Sequence, residues 1–241
     1  MSNSINDYRK MVDEPWGKMF YDMIFEQLNI SNDKRVKILD FGAGFCITAS
    51  HYAKNHEVIA LEPNEEMINL RVKGDYKLIH GGLEYLSNFE DDSFDVVICH
   101  NVLEYVDNKD EIIKGLIRVV KPEGKLSIIK HNLYGRVMAM AVLGDNPKAA
   151  LDLLAEDNTE NSMFGNRNVY DNEYLVNCLK DEAKLKDVFG IRTFFGLSSN
   201  NEIKYSDDWY QPMLKLEKKT YALDEFKKVS FFNHLLFEKW T

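Results

Sequence analysis

The segment Val36–Cys46, which reads VKILDFGAGFC, carries the strongest fold signal in this chain. Its first half is largely apolar and predicts a buried strand, which ends in Asp40 and a glycine-rich turn. A helical pattern begins directly after the turn, at Ile47. A strand that enters such a turn and then a helix forms a nucleotide-sized pocket at the carboxyl edge of an open α/β sheet. The segment therefore predicts a ligand site at this edge.

Three classes of ligand compete for this turn. A dinucleotide site requires the pattern G-x-G-x-x-G, and here Gly42 and Gly44 are followed by the branched Ile47 in place of the third glycine. A P-loop requires Gly-Lys-Ser/Thr, which does not follow. S-adenosylmethionine carries an adenosine without phosphate, so it needs close backbone approach and an acid for the ribose. Glu62, after a second predicted strand, supplies that acid, and the pattern favours S-adenosylmethionine.

The composition is that of an ordinary globular protein. The chain has 241 residues, of which 45% are hydrophobic and 29% charged, so a single domain over residues 1–241 can bury a large core. It contains no apolar run long enough to span a membrane, and its first residues lack the basic and apolar segments of a secretory signal. We therefore expect a cytoplasmic protein without membrane contact.

Neither the cysteines nor the net charge indicates a metal site or a nucleic-acid coat. Cys46, Cys99 and Cys178 are far apart and form no C-x-x-C, which favours a reduced protein without metal. The formal net charge of −9 argues against non-specific coating of nucleic acid. Lysines interleaved with aromatic residues over 204–228 are interpreted as a solvated helical face, with an RNA-facing surface as the alternative.

Strand-like and helix-like runs alternate through the first half of the chain. Such alternation predicts right-handed βαβ units and a doubly wound α/β sheet that is covered on both faces. Asn64, with two glutamates directly after it, is a typical helix start. Strands are predicted near residues 36–41, 57–61, 77–80, 95–99, 125–130, 187–195 and 229–237, and helices near 15–28, 45–54, 64–72, 109–120 and 171–184.

Two segments stand outside this alternation. An N-terminal helix is expected over residues 8–30. Residues 132–170 combine a Met-rich helical piece, the break Gly144–Pro147, a second helical piece and a polar loop. An insertion after the fifth strand lies at the carboxyl edge of the sheet, so a helical lid over the substrate is expected there.

A second motif, Asp95–Val106 (DVVICHNVLEYV), predicts a buried strand that ends in polar residues and leads into an apolar helical turn. Together with Ile38–Gly44, Glu62 and Lys121–Leu126, it closely resembles the class I S-adenosylmethionine-dependent methyltransferases over about the first 130 residues. The resemblance implies a Rossmann-like, doubly wound sheet of seven strands, mostly parallel with an antiparallel last strand. It also implies S-adenosylmethionine as the cofactor and methyl transfer as the reaction.

The second half of the chain resembles one group of these enzymes more loosely. Ser127–Asn132 with Gly135, followed by Gly190–Phe194 and a C-terminal helix, is similar to the tRNA 5-carboxymethoxyuridine methyltransferases. That likeness implies a carboxylate-bearing acceptor, with a modified tRNA wobble uridine as one candidate. Two departures are evident. Gly82 stands where the group has an acid, and the N-terminal arginine for the cofactor carboxylate is absent, with Lys18 as its candidate substitute.

The resemblance assigns cofactor contacts to the ends of the first four strands. The glycine-rich turn is expected to pass beneath the methionine part, Asp40 to reach its amino group, and Glu62 to bind the ribose. His100 is expected beside the sulfonium, both as a cofactor contact and as a catalytic residue. The full set of expected cofactor contacts is Asp40, Gly42, Ala43, Gly44, Glu62, Pro63, Met67, Gly82, Leu83, Glu84, His100 and Lys18.

Arg192 is the main candidate for binding the acceptor and the second catalytic assignment. An arginine binds a carboxylate through two hydrogen bonds, although a surface ion pair is the alternative for the same residue. Asn132, Tyr134 and Arg136 open the insertion and are expected to contact substrate.

The identity of the acceptor depends on whether the site holds a general base. A carboxylate nucleophile needs none, whereas an amine or a phenol usually does. His131 is interpreted as a satisfied polar residue, with a base as the alternative, and Glu104 as a helix-end or surface charge. The acceptor is expected to be a small molecule or a tRNA. A small-molecule O- or N-methyltransferase and a catalytically silent cofactor-binding module are the alternative functions.

Overall fold

The fold is built on a seven-stranded sheet, seen in a computed structural model that describes residues 5–155, 159–162, 165–168 and 170–241. The strands are β1 (Lys37–Phe41), β2 (Glu57–Glu62), β3 (Lys77–His80), β4 (Phe94–His100), β5 (Val120–His131), β6 (Thr159–Ser162), β7 (Gly165–Asn168), β8 (Ala183–Ile191) and β9 (Phe232–Lys239). Strands β6 and β7 form a separate antiparallel pair, and the other strands form the main sheet.

The order of strands across the main sheet is β3-β2-β1-β4-β5-β9-β8. The neighbours from β3 to β5 are parallel, whereas β9 runs antiparallel to both β5 and β8. The last strand is thus the antiparallel one, which confirms the expected Rossmann-like, doubly wound sheet. The direction of strand addition reverses between β1 and β4, and the carboxyl ends of these strands border a crevice at that point.

Helices cover both faces of the sheet. Ile38 and Val96 pack toward α2 (Pro15–Leu28) and α3 (Ile47–Tyr52) on one face. Leu39 and Val97 pack toward α6 (Lys109–Val119) and α9 (Asn172–Leu179) on the other, as expected for central parallel strands. None of the described helices has the length and hydropathy needed to cross a bilayer. The helices are α1 (Ile5–Asp13), α2 (Pro15–Leu28), α3 (Ile47–Tyr52), α4 (Glu65–Asn69), α5 (Leu83–Leu86), α6 (Lys109–Val119), α7 (Leu133–Met138), α8 (Pro147–Ala155), α9 (Asn172–Leu179), α10 (Asp207–Thr220) and α11 (Asp224–Lys227).

The N-terminal segment contains two helices instead of the single helix expected over residues 8–30. The two are separated at Glu14, which is extended with a ψ of 165°. Pro15 lacks an amide hydrogen and restricts the residue before it to extended conformations, so the helix is interrupted there. Gly17 lets α1 pack closely against α2, because a Cβ at this position would collide with the carbonyl oxygen of Val12.

Strand β8 ends earlier than the predicted range of 187–195. Arg192 has a φ of 60°, in the left-handed region, and turns the chain directly after the strand. The next three backbone amides donate to the side chain of Glu217 and not to a neighbouring strand. Because the apolar pattern continues into this turn, periodicity alone placed the end of the strand too late.

The insertion over residues 132–170 begins with α7 and α8, which are separated by a π-helical turn at Ala139–Leu143 and a short break. Asn132 anchors α7, since its side-chain amide donates to the carbonyl oxygens of Lys228 at 2.9 Å and Ser230 at 2.8 Å. The predicted polar loop contains β6 and β7. Its residues 156–158, 163–164 and 169 lie outside the described residues.

Replacing Gly17 by alanine is expected to lower the free energy of unfolding by about 2 kcal/mol, because the added methyl group collides with the backbone of α1. The helix preference of alanine over glycine, about 1 kcal/mol, acts in the opposite direction. Gly115→Ala is the matched control in α6, since a Cβ there meets only the flexible side chain of Leu86. Urea unfolding followed by circular dichroism measures both variants. Equal midpoints for Gly17→Ala and the wild type would contradict the close packing of α1 on α2.

Candidate active site

A cavity of about 850 Å³ opens at the carboxyl ends of β1, β2 and β4. Helices α1 and α2 and the turn after β8 contribute its other walls. The topology brings widely separated segments of the sequence to this one cavity. The predicted site residues that line it are Asp40, Gly42, Ala43, Gly44, Glu62, Pro63, Met67, Gly82, Leu83, His100 and Arg192.

The glycine-rich turn forms the floor of the cavity and uses its own amides internally. Gly42 and Gly44 have φ values of 70° and 55°, in the left-handed region that favours glycine. The amides of Gly42 and Ala43 donate to the carbonyl oxygen of Leu61 at 2.8 and 3.1 Å, and the amide of Gly44 donates to Glu62 Oε2 at 2.7 Å. All three amides are therefore occupied within the protein. This arrangement suits a ligand without phosphate better than a dinucleotide.

Glu62 is held in place by the backbone on both sides of it. Its Oε2 accepts from the amide of Gly44, and its Oε1 accepts from the amide of Asn64 at 2.8 Å. Burial raises the pKa of Glu62, and these two hydrogen bonds act in the opposite direction. Each carboxylate oxygen has a further lone pair, so the fixed side chain can also accept hydrogen bonds from ligand hydroxyls.

Asp40 gives the cavity an acidic floor next to the turn. The side chain is 4% exposed, and its Oδ2 is buried without a hydrogen-bond partner among the described residues. Burial, together with repulsion from Glu62, raises the pKa of Asp40 to about 7. A buried carboxyl with one unpartnered oxygen is costly unless a cation reaches it, so this corner favours a positively charged ligand group.

The N-terminal helices cover the cavity. Tyr8, Met11 and Val12 of α1 line it, together with Trp16, Phe20, Tyr21 and Ile24 of α2. The expected lid was the insertion over 132–170, and none of its described residues lines the cavity. The aromatic and apolar spacing of α2 was visible in the sequence as an ordinary amphipathic face, which does not distinguish a cavity wall from a core contact.

Arg192 lies among aromatic rings, at the end of the cavity that the turn after β8 contributes. Its guanidinium carbon lies 5.2 Å from the ring centre of Trp16, 5.1 Å from that of Phe231 and 5.8 Å from that of Phe232. Its Nε is buried without a hydrogen-bond partner among the described residues. Burial lowers the pKa of Arg192 to about 10, so the side chain is still a cation at neutral pH. It can therefore bind an anionic group in an otherwise apolar setting.

Glu217 holds the turn that carries Arg192, and the sequence interpretation missed it. It lies in the lysine-rich helix α10, yet its side chain is fully buried. Its carboxylate accepts from the amides of Thr193 at 3.0 Å, Phe194 at 2.8 Å and Phe195 at 2.9 Å. One buried carboxylate thus satisfies three consecutive amides and sets the conformation of the turn.

A carboxylate–imidazole pair lies beside the same end of the cavity. The interpretation of Glu104 as a helix-end or surface charge is wrong, because the residue is 1% exposed. Its Oε1 accepts from the backbone amide of His131 at 2.7 Å and lies 3.1 Å from His131 Nδ1. His131 lines the cavity. The hydrogen bonds to His131 lower the pKa of Glu104 although burial opposes them.

Several predicted contacts lie outside the cavity in the described part of the chain. Lys18 is exposed, and its ammonium group lies 4.2 Å from the ring centre of Tyr210. The carboxylate of Glu84 accepts from the amide of Gly82 at 2.8 Å, so it shapes that turn without lining the cavity. Of the three substrate residues expected in the insertion, Asn132 is a structural anchor, Tyr134 is 61% exposed, and Arg136 lies on α7 away from the lining. The described ranges contain no group of three or more His, Cys, Asp or Glu side chains that could hold a metal ion.

Comparison with known proteins relates the first half of the chain to methyltransferases. The profile of a methyltransferase domain family matches residues 39–128. Ubiquinone biosynthesis O-methyltransferase of Rickettsia typhi is 31% identical over 140 residues, which are 52% of this chain and 56% of that protein. The tRNA 5-carboxymethoxyuridine methyltransferase of Escherichia coli is 26% identical over 121 residues, 46% of each protein. The chain thus spans about half the length of the curated relatives it matches.

The whole fold is similar to solved structures. An S-adenosylmethionine-dependent methyltransferase from Thermotoga maritima superposes with a TM-score of 0.64 over 98% of this chain and 96% of that one, at 14% identity. At this identity the likeness is one of fold. The methyltransferase domain match and the phosphate-free turn agree with the S-adenosylmethionine cofactor that the sequence implied.

Glu217→Ala is expected to lower the free energy of unfolding by about 3 kcal/mol, because three buried amides lose their acceptor. Lys215→Ala is the control, since Lys215 is exposed on the same helix and its removal should change stability by less than about 0.5 kcal/mol. Urea unfolding of both variants provides the comparison. Equal stability of the two variants would show that other contacts hold the turn at Arg192.

Proposed function

We propose that this chain, an S-adenosylmethionine-dependent methyltransferase by the domain at residues 39–128, transfers a methyl group to an acceptor that carries a carboxylate. The observation that carries the proposal is Arg192, a cationic side chain that lines the cavity with a buried, unpartnered Nε. No other lysine or arginine among the described residues lines this cavity. A carboxylate on the acceptor would therefore find its counter-charge at this position.

The residues at the strand ends fit S-adenosylmethionine, which supplies an electrophilic methyl group on a sulfonium. Asp40 would bind the cationic amino group, since its buried Oδ2 has no described partner. The Gly42–Gly44 turn would lie under the methionine part, and Glu62 would bind the ribose hydroxyls. Pro63, Met67, Gly82 and Leu83 line the same side of the cavity and would contact the adenine. His100 would lie close to the sulfonium.

The end of the cavity around Arg192, where the acceptor would bind, is suited to an anionic nucleophile. Trp16, Phe231 and Phe232 surround Arg192 and exclude water, and an anion that loses hydration becomes a better nucleophile. A carboxylate oxygen can attack the methyl carbon without a general base, so the protein contributes position and a dry environment. The product of this reaction is a methyl ester.

A modified tRNA nucleoside is one acceptor of this chemical class. The support is the similarity to the Escherichia coli tRNA 5-carboxymethoxyuridine methyltransferase, which covers 46% of this chain. The net charge of −9 implies that any contact with RNA would be local to the mouth of the cavity.

Methylation of a hydroxyl on a small molecule is the second candidate function. The observation that favours it is the Glu104–His131 pair at the cavity, because a carboxylate-bound imidazole is a typical general base for a protic nucleophile. The similarity to the Rickettsia typhi O-methyltransferase supports the same alternative. A silent binding module would instead show no methyl transfer despite cofactor binding.

The affinity for S-adenosylhomocysteine is expected to rise with pH. With a pKa of about 7, Asp40 is mostly protonated at pH 6 and mostly ionised at pH 8, and the cationic amino group binds the ionised form. The dissociation constant should therefore fall about tenfold between these values. Asp40→Asn should bind about tenfold more weakly at pH 8 and lose the pH dependence, whereas Asp107→Asn, at an exposed position, should behave as wild type. Calorimetric titration measures all three; a flat wild-type profile would refute the role of Asp40.

Arg192→Ala is expected to lower kcat/KM for a carboxylate acceptor about 100-fold while leaving the affinity for S-adenosylhomocysteine unchanged, because Arg192 faces the acceptor. Arg192→Lys should recover part of the lost kcat/KM, since lysine restores the positive charge but cannot form the bidentate hydrogen bonds of a guanidinium. Arg71→Ala, which removes a guanidinium that binds the carbonyl oxygen of Ile68, is the matched control. The measurement is transfer of labelled methyl to total tRNA and to small carboxylic acids.

Mild alkali then identifies the product, because it cleaves methyl esters and leaves O-aryl and N-methyl groups intact. Alkali-labile label that depends on Arg192 supports the proposed function. Alkali-stable label would instead assign the methyl group to a hydroxyl or an amine and favour the second candidate. Cofactor binding without any transfer would leave only the silent module.

A further inference from the structure

A line of buried polar side chains runs from the cavity across the sheet to α2. His100 Nε2 lies 2.8 Å from Ser127 Oγ, which lies 2.7 Å from His234 Nε2. His234 Nδ1 lies 2.9 Å from Gln27 Oε1, and Gln27 Nε2 donates to the carbonyl oxygen of Gly190 at 2.8 Å. These residues come from β4, β5, β9, α2 and β8, and only His100 lines the cavity. We call this line the His100 chain.

The carbonyl oxygen of Gly190, at the end of the His100 chain furthest from the cavity, determines the direction of every hydrogen bond in it. The carbonyl of Gly190 can only accept, so the amide nitrogen of Gln27 faces it and the amide oxygen faces His234. That oxygen also can only accept, so His234 carries its proton on Nδ1 and accepts at Nε2 from the hydroxyl of Ser127. Ser127 donates its single hydroxyl hydrogen to His234, so its oxygen must accept from His100 Nε2.

The same argument determines the protonation of His100. Burial lowers the pKa of His100 well below its ordinary value and that of His234 to about 3, so both rings are neutral at pH 7 and each has one N–H. His100 donates its single N–H, at Nε2, to Ser127, so its Nδ1 is unprotonated and can only accept a hydrogen bond. This atom is buried and has no hydrogen-bond partner among the described residues. All donors point away from the cavity, and such an aligned chain strengthens the acceptor at its start.

We propose that Ser127, His234 and Gln27 are positioning residues that hold His100 in one neutral tautomer, with Nδ1 presented to the bound ligand as a hydrogen-bond acceptor. The inference rests on the proposed function for the identity of the ligands. The chemistry that Nδ1 selects is an N–H or O–H donor, because a buried acceptor that is left without a donor is unfavourable. Two sources can supply it, the amino group of the cofactor and a protic group of the acceptor. A neutral ring also avoids repulsion with the positive sulfonium.

The first test reads the tautomer directly in the full-length protein. Long-range ¹H–¹⁵N correlation spectra at pH 7 should show His100 protonated on Nε2 and bare on Nδ1, before any ligand is added. Ser127→Ala should abolish this preference, and Ser127→Thr, which keeps the hydroxyl, should retain it. A His100 protonated on Nδ1 in the wild type would overturn the proposal, irrespective of enzymatic activity.

The second test separates the two sources of the donor. If the cofactor supplies it, S-adenosylhomocysteine should shift the Nδ1 resonance, and Ser127→Ala should weaken its binding about tenfold. If the acceptor supplies it, binding of S-adenosylhomocysteine should be unchanged and kcat for methyl transfer should fall by a similar factor. Ser93→Ala, which removes a hydroxyl that donates to the carbonyl oxygen of Glu90 at the amino end of β4, opposite the cavity, is the control for general destabilisation.

The results for Ser127→Ala decide whether the His100 chain positions His100. A Ser127→Ala variant with unchanged binding and unchanged turnover would overturn the proposal, as would a loss equal to that of Ser93→Ala. Failure to find any methyl transfer would count against the proposed function alone, because the tautomer and the binding of S-adenosylhomocysteine are measured without an acceptor.

Discussion

The carboxylate of Glu62 connects the ends of two neighbouring strands, and the geometry of the cavity depends on it. One oxygen accepts from the amide of Gly44 in the turn after β1, and the other accepts from the amide of Asn64 at the start of α4. These bonds hold the turn close to the end of β2. The amides of Gly42 and Ala43 donate to the carbonyl oxygen of Leu61, so all three amides of the Gly42–Gly44 turn are used within the protein. Because the same side chain lines the cavity, a group that the fold requires is also available to the ligand.

The two ends of the cavity hold groups of opposite sign, Asp40 and Arg192, and each has a buried atom, Oδ2 and Nε respectively, without a hydrogen-bond partner among the described residues. Burial raises the pKa of Asp40 and lowers that of Arg192, which means that in both cases the surroundings disfavour the charged form. A ligand pair with a cation at one end and an anion at the other would relieve both costs. Glu217 stabilises the strained turn at Arg192 by satisfying three amides, so the structure keeps that cation in place before any ligand binds.

Local patterns predicted the features that depend on neighbouring residues. The alternation of strands and helices, the glycine-rich turn and the start of α4 at Asn64 all follow from spacings of a few residues. The failures involve distant partners. Glu104 was interpreted as a surface charge, yet it binds His131, and Glu217 was hidden in a lysine-rich helix. A charged residue carries no local sign that a distant backbone will bury it, so these roles could not be predicted from periodicity.

Short-range patterns were enough to predict the sheet and the class of cofactor, because apolar strands, two glycines and the acids at the ends of β1 and β2 lie within short stretches of chain. Long-range packing, which those patterns do not contain, places α1 and α2, and not the described part of the insertion, over the cavity. It also decided that Ser127, His234 and Gln27 form one chain behind His100. Residues so far apart in sequence meet only because β4, β5 and β9 are neighbours and α2 packs across them, and that arrangement is a property of the folded core.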